Sequence, residues 1–247
     1  MRILGSIVFL VFACIWYLPV YKRLTAAERI EKSCIFKSVL WGLGPAFIIA
    51  VVIQMILSAI YYYVLGMDKE SLSFSITQSI FSYALIEELV KGFIAYKLYC
   101  KSGYESKAAC VLIFGAVGLG YGILESLLFI QNIVHALIRS VISLHIFLQF
   151  FMGYFFFEAV KCKASGKISD YKKKLATSFF IPFFIHMLHD IAGSFIKILI
   201  GDDEAKNTIG YIVILISAAI DIIFIIKTLK LVRSVKEVST LKTTSEG

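Results

Sequence analysis

Residues 82–99 read SYALIEELVKGFIAYKLY, a run apolar enough to cross a bilayer as a helix were it not for Glu87, Glu88 and Lys91 in its middle. Ionisable side chains at the centre of a membrane helix cost roughly 2.5–3.5 kcal/mol each on insertion scales, so they face a bundle interior or a water-filled cavity and mark function. The surrounding chain is built for a bilayer: 59% of its residues are hydrophobic, 17% are charged and the mean hydropathy is +0.84, outside the range of ordinary soluble domains. About 20 apolar residues are needed to cross ~30 Å of hydrocarbon as an α-helix. Seven runs qualify, at about 3–20, 38–65, 74–99, 108–131, 138–160, 175–200 and 209–230. The second is long enough to tilt or break near Gly42, Gly44 and Pro45, and leaves room for an eighth short element. With no internal repeat, low-complexity tract or linker, the expected fold is all-α: one polytopic membrane helix bundle of about seven (7–8) transmembrane helices, a single domain over residues 1–247.

Basic residues orient such a bundle, because Lys and Arg in short loops stay on the cytoplasmic side. Nineteen of the 25 fall on one set of alternate connections, in the stretches 22–37, 97–107, 161–174 and 227–242. The other side holds Arg2, Lys69, Arg139, Lys197 and Lys206, with the acidic cluster Asp202, Asp203 and Glu204. The N-terminus is therefore expected outside and the C-terminus inside. The net charge of +8 then needs no nucleic acid to explain it, since basic loops face anionic lipid headgroups and the bilayer is the partner. The first run has one basic residue before it and no small-x-small cleavage site after it, so it reads as a retained helix. Of five cysteines, Cys34, Cys100, Cys110 and Cys162 fall near the reducing face and Cys14 within the first run, so free thiols are expected.

Four of the runs carry an acid or an imidazole: Glu87 and Glu88, Glu125 in GLGYGILES, His145 in SLHIFLQFFMG, and His186, His189 and Asp190 in FIHMLHD. Taken singly, Glu87 with Lys91 and His186 with Asp190 have the i,i+4 spacing of helix-stabilising pairs. Pairs within a helix do not call for carboxylates and imidazoles spread over four helices, so a shared cavity is the better reading. At ~1.5 Å per residue, Glu87 lies some 20 Å from the outer end of its helix near Phe74, close to the midplane. Glu125, His145 and Asp190 fall nearer the expected outer ends, so the cavity opens outward.

A desolvated carboxylate steadied by Lys91 is suited to act as a general base on water, and imidazoles with a second acid are suited to hold an oxyanion or protonate a leaving amine. Amide hydrolysis fits that set. His145, His186 and a carboxylate are equally the donors of a zinc site with one open position, although no H-E-x-x-H signature occurs. Glutamate-activated water is favoured, no cofactor is required, and zinc stays open. A different class of function uses the same residues without chemistry, as a polytopic scaffold or binding subunit that holds partner transmembrane helices.

EELVK (87–91), GLGYGILE (118–125), Arg139 and His145 ahead of MG (152–153), and HMLHD (186–190) resemble, in order and spacing, the PrsW family of intramembrane proteases, a relative of the type II CAAX prenyl proteases. The resemblance covers about residues 74–200. It implies catalytic roles for Glu87 as the water-activating base, Glu88 beside it, Glu125, His145, His186 and Asp190, with Lys91, Arg139 and His189 supporting. It further implies a membrane-anchored protein substrate, such as an anti-sigma-factor-like regulator, cut in or near the outer half of its helix, in the cytoplasmic membrane of a prokaryote. Gly122, Ser126 and Met187 stand where the family more often has Ala, Asn and Gly, which bears on substrate fit more than on the chemistry.

Overall fold

The structure is a computed structural model and describes residues 2–27, 30–129, 144–199 and 204–235, and every described element is helical. Among the described residues there are seven rods: α1 (Arg2–Ala27), α2 (Lys32–Val64), α3 (72–102), α4 (Lys107–Phe129), α5 (Leu144–Ala164), α6 (Ile168–Leu199) and α7 (Glu204–Ser234). The second and third are continuous but not uniform. α2 widens into π turns at Gly42–Ala46, which contains Pro45, and at Ile60–Val64. α3 does so at Gln78–Ala84, directly before the segment Leu85–Ser102 that opens with Glu87 and Glu88 in its first turn. Such turns insert a residue into the helical ladder and recur at functional sites. Gly103 and Gly166, each at φ 74°, take the left-handed conformation that closes α3 and ends the turn after α5.

Four rods are long and apolar enough to cross a membrane by themselves: Lys32–Val64, Lys107–Leu128, Ile168–Ser194 and Thr208–Ser234. Four such spans stand where seven or eight were expected, and α3 and α5 are helices that do not reach that standard. For α3 and α5 the reason is chemical, since they give positions to Glu87, Glu88, Lys91, His145 and Gln149.

α4 is the axis of the bundle, with 72% of its apolar window buried against 17–28% in the other three spans. It packs on α1, α2, α3 and α5. Glycine makes the approach possible: a methyl on Gly120 would fall on the Val39 carbonyl of α2, and one on Gly118 on the His145 carbonyl and the Gln149 side chain of α5. Small residues let membrane helices pack backbone to backbone in this way. Phe114, Phe147 and Phe150 fill the seam between α4 and α5, and Tyr17 of α1 donates its hydroxyl to the Leu112 carbonyl at 3.0 Å. Large apolar side chains such as Met55, Phe93 and Leu215 point outward, as a bundle in hydrocarbon permits. At the basic end, Glu158 of α5 is held by Lys107 of α4 and by Lys174 of α6, the latter at 2.7 Å. All five cysteines are free thiols.

Candidate active site

The π turn ends where the double glutamate begins, and the following helix points both carboxylates and Lys91 into the bundle, where all three are buried. Lys91 Nζ lies 2.6 Å from Glu88 Oε1 and 3.5 Å from Glu87 Oε2, so the i,i+3 pair is the closer of the two. The same ammonium donates to His145 Nδ1 at 2.9 Å and sits over the Tyr121 ring, 4.6 Å from its centre. A nitrogen that accepts from ammonium carries no proton, so the proton of a neutral His145 is on Nε2, where it is donated to Glu125 Oε2 at 2.5 Å. Gly118, by letting α5 approach α4, brings that imidazole to Glu125 and Tyr121.

Glu88 is fully engaged: Oε1 accepts from Lys91 and from His186 Nδ1, the latter at 2.9 Å, and Oε2 accepts from the Gln149 amide at 2.9 Å. Glu87 is not. Its Oε1 accepts from Gln54 of α2 at 3.1 Å, whereas Oε2 is buried without a hydrogen-bond partner. Asp190 Oδ2 is buried in the same condition. Facing both is His186 Nε2, 3.8 Å from Glu87 Oε2 and 3.5 Å from Asp190 Oδ2. Because His186 Nδ1 donates to Glu88, Nε2 of a neutral ring is a lone pair, and three acceptors then converge, with the Lys91 ammonium 3.5 Å from one of them. A proton on Nε2 or a cation relieves that arrangement.

The donor chemistry suits a divalent metal. Glu87, His145 and His186 each offer a ligand atom within 4.8 Å of the others, and a histidine whose second nitrogen is fixed by a carboxylate, as His186 is by Glu88, is the usual outer arrangement of a metal ligand. His145 would have to give up its bond to Glu125 to serve.

Most residues expected from the sequence therefore meet: Glu87, Glu88, Lys91, Glu125, His145, His186 and Asp190 form one cluster. His189 does not join it. Its Nδ1 pairs at 2.8 Å with Asp221 Oδ2, a buried acid of α7. Arg139 lies outside the described residues. Sequence reading missed Gln54, Gln149 and Asp221. Gln54 is the one strongly polar residue in FIIAVVIQMIL, Gln149 follows His145 by four residues on the same helical face, and Asp221 interrupts AAIDIIF.

Comparison with known proteins bears on the same residues. The family model described as PrsW family intramembrane metalloprotease matches residues 31–220, which reaches back beyond the motif-bearing core to include α2 and Gln54. Protease PrsW of Geobacillus kaustophilus (strain HTA426) is 28% identical over 118 residues, 46% of this chain and 50% of that protein. Protease PrsW of Oceanobacillus iheyensis is 25% identical over 118 residues, 46% of this chain and 53% of that protein. The chain thus spans about half the length of the curated relatives it matches. No solved structure matches. With the match running through six of the seven rods and every motif that forms the buried cluster, the chain belongs to the PrsW family of intramembrane metalloproteases.

Proposed function

We propose that this protein is an intramembrane endopeptidase that hydrolyses a peptide bond in or near the outer half of a membrane-anchored protein, an anti-sigma-factor-like regulator being the kind of substrate in view. The observation that carries this reading is the convergence of Glu87 Oε2, Asp190 Oδ2 and His186 Nε2 in a buried network. A scaffold that only held helices gains nothing from two buried carboxylate oxygens that make no hydrogen bond, each of which costs desolvation free energy.

Glu87 is assigned as the general base. Gln54 holds one of its oxygens and thereby aims the other into the gap beside His186, within reach of a water's proton. Glu88 is a positioning residue that fixes the His186 ring through Nδ1. Lys91 offsets the negative charge of the pair, and the His145 N–H, once released from Glu125, is the donor for an oxyanion or a leaving amine. His186, His145 on release from Glu125, and a carboxylate, Glu87 or Asp190, are the residues that would hold a metal. A bound zinc ion supplies Lewis-acid polarisation and lowers the pKa of its water toward ~7.

In this reading all seven rods cross the membrane, with the lysine-rich ends cytoplasmic and the N-terminal end of α1 outside. Water then reaches Glu87 from the outer side. The test is purified protein assayed for cleavage and for bound zinc. Glu87→Gln should abolish cleavage and keep the metal content of wild type, whereas Asp190→Asn should lose both. Retained cleavage in Glu87→Gln sinks the proposal, and lost metal in that variant moves Glu87 from base to ligand. Comparative membrane proteomics of wild type and Glu87→Gln, with the new N-termini sequenced, would name the substrate and the side of the cut.

A further inference from the structure

A second feature lies away from the polar cluster, on the lipid side of the seam between α2 and α3. A half-open groove of about 1020 Å³ runs between them, lined at one end by Lys37, Lys97 and Lys101 and toward the other by Trp41, Ile49 and Leu89. From Lys37 to Ile49 on α2, and from Lys101 back to Leu89 on α3, it extends about 18 Å at ~1.5 Å per residue. The two helices run antiparallel, so the lysines gather at one end and the exposed apolar side chains fill the rest.

The charges at that end are unmatched. Lys91, Lys107 and Lys174 are all ion-paired, but none of the three groove lysines pairs with a carboxylate among the described residues. The single acid on the rim, Glu31, already accepts from the Ser33 hydroxyl at 2.9 Å. Trp41 and Tyr104 stand beside them, at the level where aromatic side chains settle in a membrane interface.

We infer that this groove is a binding site for one anionic glycerophospholipid, its phosphate held by Lys37, Lys97 and Lys101 and its acyl chains laid along Trp41, Ile49 and Leu89. An amphiphile with a negative head and a long apolar body matches both ends of the groove at once. A neutral lipid leaves the lysines uncompensated.

The test uses the chain's two tryptophans, Trp16 and Trp41. In W16F, Trp41 is the sole reporter, and the full-length protein is reconstituted in phosphatidylcholine vesicles doped with equal mole fractions of brominated phosphatidylglycerol or brominated phosphatidylcholine. The brominated anionic lipid should quench Trp41 at least about twofold more than the neutral one, since each lysine near the surface favours anionic lipid. That excess should vanish in W16F/K37Q/K97Q/K101Q and persist in the corresponding triple arginine variant, which separates loss of charge from loss of fold. Equal quenching by the two lipids overturns the proposal, as does an excess that survives the glutamine substitutions. Relief of quenching by an added leucine-rich transmembrane peptide with an acidic flank would hand the groove to a helix and overturn it too.

Discussion

Two carboxylate-centred networks stand at different depths of this bundle, and they are built on opposite terms. At the basic end, Glu158 offers one oxygen to Lys107 and the other to Lys174, so a single acid closes the ends of α4, α5 and α6 with both oxygens used. In the centre, Glu87 and Glu88 share the Lys91 ammonium, Glu125 and Asp190 face imidazoles, and one oxygen each of Glu87 and Asp190 is left without a hydrogen bond. Acceptors outnumber donors where desolvation is costliest, and are balanced where water is near. A balanced network holds helices together. An unbalanced one keeps a place for a proton, a water or a metal, and it is tolerated only because the groups around it are held rigidly.

That contrast is open to attack at each end. The largest effect is expected at Glu87, where the amide of Glu87→Gln keeps the shape and removes the base. Cleavage should fall by ~10²–10⁴-fold, the range of a lost general base, while the melting temperature stays at or above that of wild type, because a buried carboxylate has become neutral. A lowered melting temperature would mean that Glu87 belongs with Glu158 as a structural acid. Next comes Glu88, whose replacement by Ala leaves Lys91 and Gln149 without their partner. Stability should drop by about 3–5 kcal/mol, read from denaturation in detergent, with cleavage lost as well because the His186 ring is unfastened. Gly118→Ala should cost about 1–3 kcal/mol through overpacking and lower activity by pushing His145 away from Glu125. Full activity there would show that the α4–α5 approach does not govern the imidazole. The smallest effect is reserved for Glu158→Gln, expected to cost about 0–1 kcal/mol with cleavage unchanged.

The seven rods and the charged members of the centre were legible because an acid or imidazole inside an apolar run stands out against its solvent. Glu87, Glu88, Lys91, His186 and Asp190 needed only periodicity and depth to be gathered. What the sequence did not give up was the division of labour between the two glutamates, which depends on residues that look unremarkable in a list of helices. Gln149 makes Glu88 a satisfied positioning group, and Gln54 holds one oxygen of Glu87 and leaves the other bare. Neutral amides change hydropathy little and carry no charge to pair, so pattern alone passes over them. His189 misled for a related reason: its spacing from His186 suggests a shared site, but its partner is Asp221 in the last helix, far along the chain. The π turns were also hidden, apart from the glycines and Pro45 that hinted at a break in α2.

The pairing of Lys91 with Glu88 has a consequence for how the protein is made. Charged groups entering hydrocarbon cost roughly 2.5–3.5 kcal/mol each, and in the proposed topology α3 carries three of them at mid-depth. They lie three and four residues apart, so α3 carries a counter-charge of its own before any later helix is made. The imidazole that Glu88 fixes belongs to α6, which is synthesised some hundred residues later. Under the proposed function, hydrolytic competence is therefore withheld until the sixth rod has docked, and nascent chains in the same membrane meet an inert bundle rather than a half-built protease.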